Sequence, residues 1–184
     1  SGGGMVLTDN AEFARRVRHL ATQAREQVIH YEHKELGYNY RLSNVLAALG
    51  RAQIKRLPEI ISVRRSIREK YRGLFTEDSG ASVFGHLDEE DNCWLTSIIV
   101  SPEASWVPSD LQDFLELRDI ESRPLWKPMH LQPLYEDCES FVDGSSESLF
   151  LQGLTLPSGS GMTMDDWERV ETSVRDFLAT TVSR

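Results

Sequence analysis

Cys93-Trp94-Leu95-Thr96-Ser97-Ile98-Ile99-Val100 is the stretch where the chain passes from helical to extended patterning. Its aromatic and β-branched residues run together, as in a buried strand. Upstream, apolar residues recur instead at three- and four-residue intervals. Leu42, Val45, Leu46 and Leu49 form one helical face, and Ala47, Ala48, Gly50 and Ala52 thin its flank enough for close helix packing. Pro58 interrupts this pattern but suits the first turn of a helix, so two successive helices bent at Pro58 are predicted. The second carries Ile60, Val63, Ile67, Tyr71 and Leu74.

Downstream of the strand, Ser109 with Gln112 reads as a capping box opening a short helix whose buried side is Leu111, Phe114 and Leu115. Ile120 to Arg123 can return as a strand. Pro124, Pro128 and Pro133 then exclude a continuous helix or a central strand, which leaves a rigid, displayed loop. Asp143 to Gly153 fits a short helix, and Leu154 to Pro157 a brief extended piece. Thr163 with Asp166 caps a last helix with the stripe Met164, Trp167, Val170, Val174, Phe177 and Leu178. At the other end, Met5 to Thr8 reads as a short buried strand. Asp9 with Glu12 then opens a helix with the stripe Phe13, Val17, Leu20 and Ala21. Periodicity fades from Gln23 to Tyr40, a loop containing Gly37.

These elements predict an α/β or α+β architecture. A mostly antiparallel sheet of three strands or so, from around Cys93, Ile120 and Leu154, packs against helices near 59–75, 110–117 and 163–180. With 184 residues, 40% of them hydrophobic, the chain can bury a real core. Its net charge of −9, from 29 acids against 20 bases, argues against a nucleic-acid partner. Cys93 and Cys138, the only two cysteines, suggest neither a disulfide framework nor a thiolate metal site. No basic n-region with an apolar core opens these residues and no apolar run approaches membrane-spanning length, so a soluble cytoplasmic protein with no membrane partner is expected. Ser1-Gly2-Gly3-Gly4 reads either as a linker remnant or as a native turn.

Several possible sites have plainer explanations. His30 and His33, with Glu32 and Glu35, lack a third ligand or a helical frame and read as a polar loop rather than a metal site. Ser158-Gly159-Ser160-Gly161 lacks the strand-to-helix setting of a nucleophile and reads as a turn. Gly2-Gly3-Gly4 precedes a strand, the wrong order for a phosphate cradle. Two segments carry more. In Tyr38-Asn39-Tyr40-Arg41, just before a helix, Asn39 could donate to an anion and Arg41 could hold a phosphate or carboxylate bidentately. Alternatively, Asn39 makes a local turn and Arg41 pairs within the chain. Arg123-Pro124-Leu125-Trp126-Lys127-Pro128-Met129-His130 displays two cations, an indole and an imidazole on proline-stiffened backbone. This suits either ligand binding or a packed surface loop.

Taken together, these segments resemble the DegT/DnrJ/EryC1/StrS family of sugar aminotransferases. The resemblance rests on Gly3-Gly4-Met5-Val6-Leu7-Thr8-Asp9, on Gly37 to Asn44 with its Ala-rich helix, on Asn92 to Thr96, on Ile120 to Pro133 and on Leu156-Pro157-Ser158. The stretch Glu121 to Pro133 is most similar to members that aminate C4 of a UDP-linked 4-keto-6-deoxy-N-acetylglucosamine, with perosamine synthases as an alternative. The resemblance implies the C-terminal part of a fold-type I, pyridoxal-phosphate-dependent transaminase that works as a homodimer, takes its amino group from glutamate and serves polysaccharide biosynthesis. It makes residues 1–57 a remnant of the large cofactor domain and 58–184 the small C-terminal domain. By the same resemblance Asn39 reaches across the dimer to the cofactor phosphate, Arg41 lies near the sugar-nucleotide diphosphate, and Arg123, Trp126 and His130 line the sugar side.

The family's Schiff-base lysine lies upstream of the Gly-Gly-strand element at which this sequence begins, and Lys34, Lys55, Lys70 and Lys127 match other motifs. No catalytic residue and no metal ligand is therefore expected here. The chain should be inactive and hold no cofactor covalently unless joined by the N-terminal cofactor domain. The alternative is a non-catalytic sugar-nucleotide-binding or dimerisation module.

Overall fold

A computed structural model describes residues 4–85 and 88–181, so the readings of Ser1, Gly2 and Gly3 lie outside the described residues. The chain divides into two compact units, Ser1–Leu57 and Pro58–Arg184.

In the first unit, Met5 to Thr8 form no strand, correcting the sequence reading: Met5 and Leu7 are 72% and 87% exposed. A strand needs a neighbour to take its backbone N–H and C=O groups, and no described residue pairs with this segment. Helix α1 spans Ala11–Ala21. Its cap is Asn10 rather than Asp9, because the Asn10 Oδ1 accepts from the amides of both Glu12 and Phe13 at 3.0 Å. The chain then turns back, with Gln23 and Ala24 in the left-handed region at φ 65° and 50°.

Helix α2 is a single run, Asn44–Leu74, and not the two helices predicted. Pro58 removes one donor from the ladder, but Lys55, Arg56, Leu57 and Glu59 on either side are strong helix formers that carry the helix across the missing bond. The unit boundary falls inside it.

The second unit is built on a four-stranded antiparallel sheet. Its strands are β1 (Ala81–Val83), β2 (Thr96–Val100), β3 (Arg123–Pro124) and β4 (Gly153–Leu156), in the order β1-β2-β4-β3. β1 was not anticipated; three residues are too few to show a period. β2 begins at Thr96, later than predicted, because Cys93 sits at φ 53° and turns the chain just before it. β3 has two residues instead of four. Pro124 has no amide to extend the ladder, which also suits its place at the sheet edge. The predicted helices appear as α3 (Pro108–Glu116), α4 (Ser145–Gln152) and α5 (Met164–Thr181). α3 starts earlier than the Ser109 box implied: the Asp110 Oδ2 accepts from the Val107 amide at 2.9 Å, with Pro108 in the first turn. The box at α5 is as read, Thr163 N–H donating to Asp166 Oδ2 at 2.9 Å and Asp166 N–H to Thr163 Oγ1 at 3.1 Å. The Thr163 hydroxyl also donates to Asp166 Oδ2, at 2.6 Å, and with the amide it holds the Asp166 carboxyl below its ordinary pKa.

The core lies between the sheet and these helices. Ile98, opposite both Val83 and Leu154, is fully buried, as are Leu111 and Leu115 of α3 and Val174 of α5. Tyr71 of α2 is also fully buried, edge-on to Trp167 at 4.9 Å, with its hydroxyl donating to the Pro157 carbonyl at 2.8 Å. Burial pushes its phenol pKa up. Met164, predicted in the α5 core stripe, is 63% exposed, since it lies in the first turn before the helix meets the sheet.

Candidate functional site

In the first unit, the predicted loop from Gln23 to Tyr40 is tied to the end of α1. The Tyr38 amide donates to Leu20 O at 3.1 Å, Gln23 N–H to Tyr38 O at 3.1 Å and Tyr40 N–H to Ala21 O at 3.0 Å. Gly37 makes this approach possible: a β-carbon there would lie 2.5 Å from Ala24 N and 2.8 Å from Leu20 O. On the side toward α1, Glu35 takes a bidentate pair from Arg16 and lies 3.1 Å from His19 Nε2. The Arg16 hydrogen bond holds the Glu35 carboxyl below its ordinary pKa.

This folding brings Asn39 and Arg41 to one concavity of about 510 Å³, whose lining includes Thr22, Gln23, Arg25 and Tyr31. Both are exposed. The Asn39 Oδ1 accepts weakly from the Arg41 amide at 3.4 Å, the local turn that was the plainer reading of Asn39. The ion pair that was the plainer alternative for Arg41 is not formed among the described residues. Arg25, which sequence reasoning passed over, adds a second guanidinium, 4.1 Å above the Tyr31 ring. Its signal was only an arginine in an aperiodic loop. Two guanidiniums and a carboxamide on one concave face, beside the Glu26 carboxylate that also lines it, could take a phosphate or diphosphate. His30 and His33 do not converge: His30 Nε2 is 3.2 Å from Glu32, and His33 Nδ1 is 2.9 Å from the Gln23 carbonyl.

In the second unit, Arg123, Trp126 and His130 occupy different settings. Arg123 is exposed, paired with Glu121, and lines concavities of about 490 and 520 Å³ on either side of the Asp119–Arg123 segment. Neither includes Trp126 or His130. The Trp126 indole lies beside that of Trp94, with centroids 5.8 Å apart and planes at 32°. His130 Nε2 is buried without a hydrogen bond, 3.9 Å from Glu147 Oε2. The proline loop is stiffened by two 3-10 turns, Met129–Leu131 and Pro133–Tyr135.

The loop before β2 is gripped by arginines of α2. Arg68 pairs with Asp91 and donates to the Leu95 carbonyl at 2.8 Å, Arg65 donates to the Glu89 carbonyl at 3.0 Å, and Arg64 to the Trp94 carbonyl at 2.9 Å. Burial works against the Asp91 charge. The hydrogen bonds from Arg68 and the Cys93 amide, with the attraction of Arg68 and Arg65, outweigh it and hold the carboxyl below its ordinary pKa. Ser158 also has a structural role, its Oγ accepting from the buried Thr96 amide at 3.2 Å. Of the lysines, Lys34 lies 3.4 Å from Glu32 and Lys70 sits 5.1 Å above the Trp167 ring.

The sequence model of the DegT/DnrJ/EryC1/StrS aminotransferase family matches residues 1–175. The chain belongs to this family. It is 41% identical to EpsN of Bacillus subtilis (strain 168), whose name assigns it provisionally to the pyridoxal phosphate-dependent aminotransferases; the match covers 92% of this chain and 45% of EpsN. It is 34% identical to the GDP-perosamine synthase of Vibrio cholerae, over 96% of this chain and 48% of the synthase. Among solved structures, the fold matches Helicobacter pylori PseC, an aminotransferase involved in the biosynthesis of pseudoaminic acid. The TM-score is 0.81 at 18% identity, covering 94% of this chain and 48% of PseC. The aminotransferase TlmJ from Streptoalloteichus hindustanus matches with a TM-score of 0.80 at 25% identity, covering 94% and 46%. The family chain described here thus spans about half the length of the curated relatives it matches. No helix among its described residues is long and apolar enough to cross a membrane.

Proposed function

We propose that this family chain forms the C-terminal half of a transaminase that moves an amino group from glutamate to a nucleotide-linked 4-keto-6-deoxy sugar. The observation that carries this reading is the shared concavity of Asn39 and Arg41 in a chain matched by the family along residues 1–175. Residues 1–57 belong with the cofactor domain and 58–184 form the small domain. The working enzyme is a homodimer.

The donor set fits a phosphorylated cofactor. Asn39 would offer its carboxamide N–H groups to the phosphate of pyridoxal phosphate, and Arg41 would hold the substrate diphosphate by charge-assisted hydrogen bonds. When bound, pyridoxal phosphate supplies the aldehyde that receives the amino group and the ring that draws electrons from the reacting carbon. The resemblance of their segment to the family, and not a shared cavity, assigns Arg123, Trp126 and His130 to the sugar side, and the prolines among them reduce the entropy lost in holding it. Transamination also needs an amine that joins the cofactor aldehyde and moves the proton. Lys34, Lys55, Lys70 and Lys127 match other motifs of the family than its cofactor lysine, so in this reading that amine comes from outside these 184 residues and the chain alone is inactive.

The test is to mix the purified chain with the lysine-bearing N-terminal half of a family aminotransferase. Restored cofactor absorbance and turnover support the reading. UDP-sugar binding with no complementation would instead assign a non-catalytic binding module. In the complemented enzyme, Asn39→Ala should weaken cofactor retention and Arg41→Ala should raise the substrate KM; unchanged values would remove those two roles.

A further inference from the structure

Trp94 and Trp126 are 59% and 72% exposed, yet both are held in place, an unusual combination for two large apolar side chains on a surface. Trp94 is fixed at both ends of its peptide: its amide donates to Asn92 Oδ1 at 2.9 Å and its carbonyl accepts from Arg64 at 2.9 Å. The preceding residue, Cys93, is buried and held at φ 53°, a conformation that a β-carbon disfavours and that the surrounding hydrogen bonds must sustain. Trp126 follows Leu125, which is wedged against the backbone of Gly153, and precedes the Pro128 turn. The two indoles therefore form one ledge, with centroids 5.8 Å apart and planes inclined by 32°.

Such a ledge is preorganised and apolar and carries no charge of its own, so it suits the less polar face of a ring rather than a phosphate. A sugar that has lost its 6-hydroxyl presents a methyl group and axial C–H bonds on that face. We propose that Trp94 is a further sugar-binding residue, forming with Trp126 an indole ledge on which the apolar face of a 6-deoxy sugar ring packs. The proposal rests on the sugar-aminotransferase reading for its ligand class and deepens it by naming how the 6-deoxy character is sensed. The arginines of α2 act as positioning residues for this ledge.

The indole N–H signals in two-dimensional NMR of the chain test it, with Trp94 and Trp126 assigned through W94F and W126F. The buried Trp106 and Trp167 signals report that each variant is folded. The probes are methyl 6-deoxy-α-D-glucopyranoside, its 6-hydroxy parent methyl α-D-glucopyranoside, and uridine 5′-monophosphate. The expected result is that the 6-deoxy sugar shifts both exposed indoles, saturating at a concentration at least threefold lower than the parent requires. Trp94→Ala should then raise the half-saturation point at Trp126 at least fivefold. Equal response to the two sugars, an unaltered Trp126 response in Trp94→Ala, or a response to the nucleotide alone would overturn the proposal. Complementation of a lysine-bearing half by a chain that fails these titrations would overturn the ledge and leave the transaminase standing. Stacking without complementation would support the ledge and overturn the transaminase.

Discussion

Gly153 and Leu125 approach so closely that a β-carbon at 153 would lie 2.2 Å from the leucine Cδ1 and 2.7 Å from the Leu149 carbonyl oxygen. The first residue of β4 thereby seats the residue that introduces Trp126. Gly153→Ala should cost about 1–3 kcal/mol, the range for overpacking, in urea unfolding. Leu125→Ala in the same chain should relieve only part of this, because the carbonyl cannot move away. The double-variant loss should be smaller than the sum of the single losses; simple additivity would count against the contact.

Gly37 is constrained by backbone on all sides. Ala24 N, Gln23 C and Leu20 O would all lie within 2.8 Å of an added β-carbon. Gly37→Ala should therefore open the strap between α1 and the Asn39–Arg41 segment. Hydrogen exchange at Gln23, Tyr38 and Tyr40 should accelerate at least tenfold, while the sheet amides of the second unit keep their rates. Unchanged exchange would show that the strap does not depend on this glycine.

Asp91 should give the loop before β2 an acid limit. Its folded pKa lies below the ordinary value, so the contribution of the Arg68 pair is complete above about pH 4, the usual carboxylate range. That contribution is lost as pH falls from there through the folded value. The Trp94 indole signal should follow this transition, and Asp91→Asn should abolish the dependence. Asp91→Ala leaves the Arg68 guanidinium, only 7% exposed, without its counter-ion. It should cost about 3 kcal/mol, the lower end for a broken buried pair, because Asp91 keeps some contact with water.

Tyr71→Phe keeps the ring against Trp167 but removes the donor to the Pro157 carbonyl. A loss of about 1 kcal/mol in global stability is expected, as for one buried hydrogen bond. A loss several times larger would mean that the hydroxyl holds more than this one carbonyl.

Much of the fold was legible because its elements carry their own signals. Trp167, Val170, Val174 and Phe177 show a helical period and are buried along one side of α5, and Thr163 and Asp166 cap it as their spacing implies. Ile98 and Val100 read as strand because alternate buried positions on a pleat demand such residues. The segment Tyr38 to Arg41 stood out as a candidate because an amide and a guanidinium in an aperiodic loop have no packing task of their own. The other elements were hidden for physical reasons. Met5 to Thr8 have strand composition but no ladder partner among the described residues, and composition cannot supply one. Pro58 has the mark of a break, yet a helix tolerates one missing donor when its neighbours are strong helix formers.

By itself, then, the sequence determined the helical segments, the central strand, the cap of α5 and the family to which its motifs belong, since these depend on residues a few positions apart and on local hydrogen bonding. Only the tertiary structure decided which side chains meet. The Trp94 ledge with Trp126, Arg25 beside Arg41, and the arginines of α2 on the loop before β2 join residues 16 to 32 positions apart. Such pairings are set by how the chain turns and packs, and that leaves no periodic trace in the order of its residues.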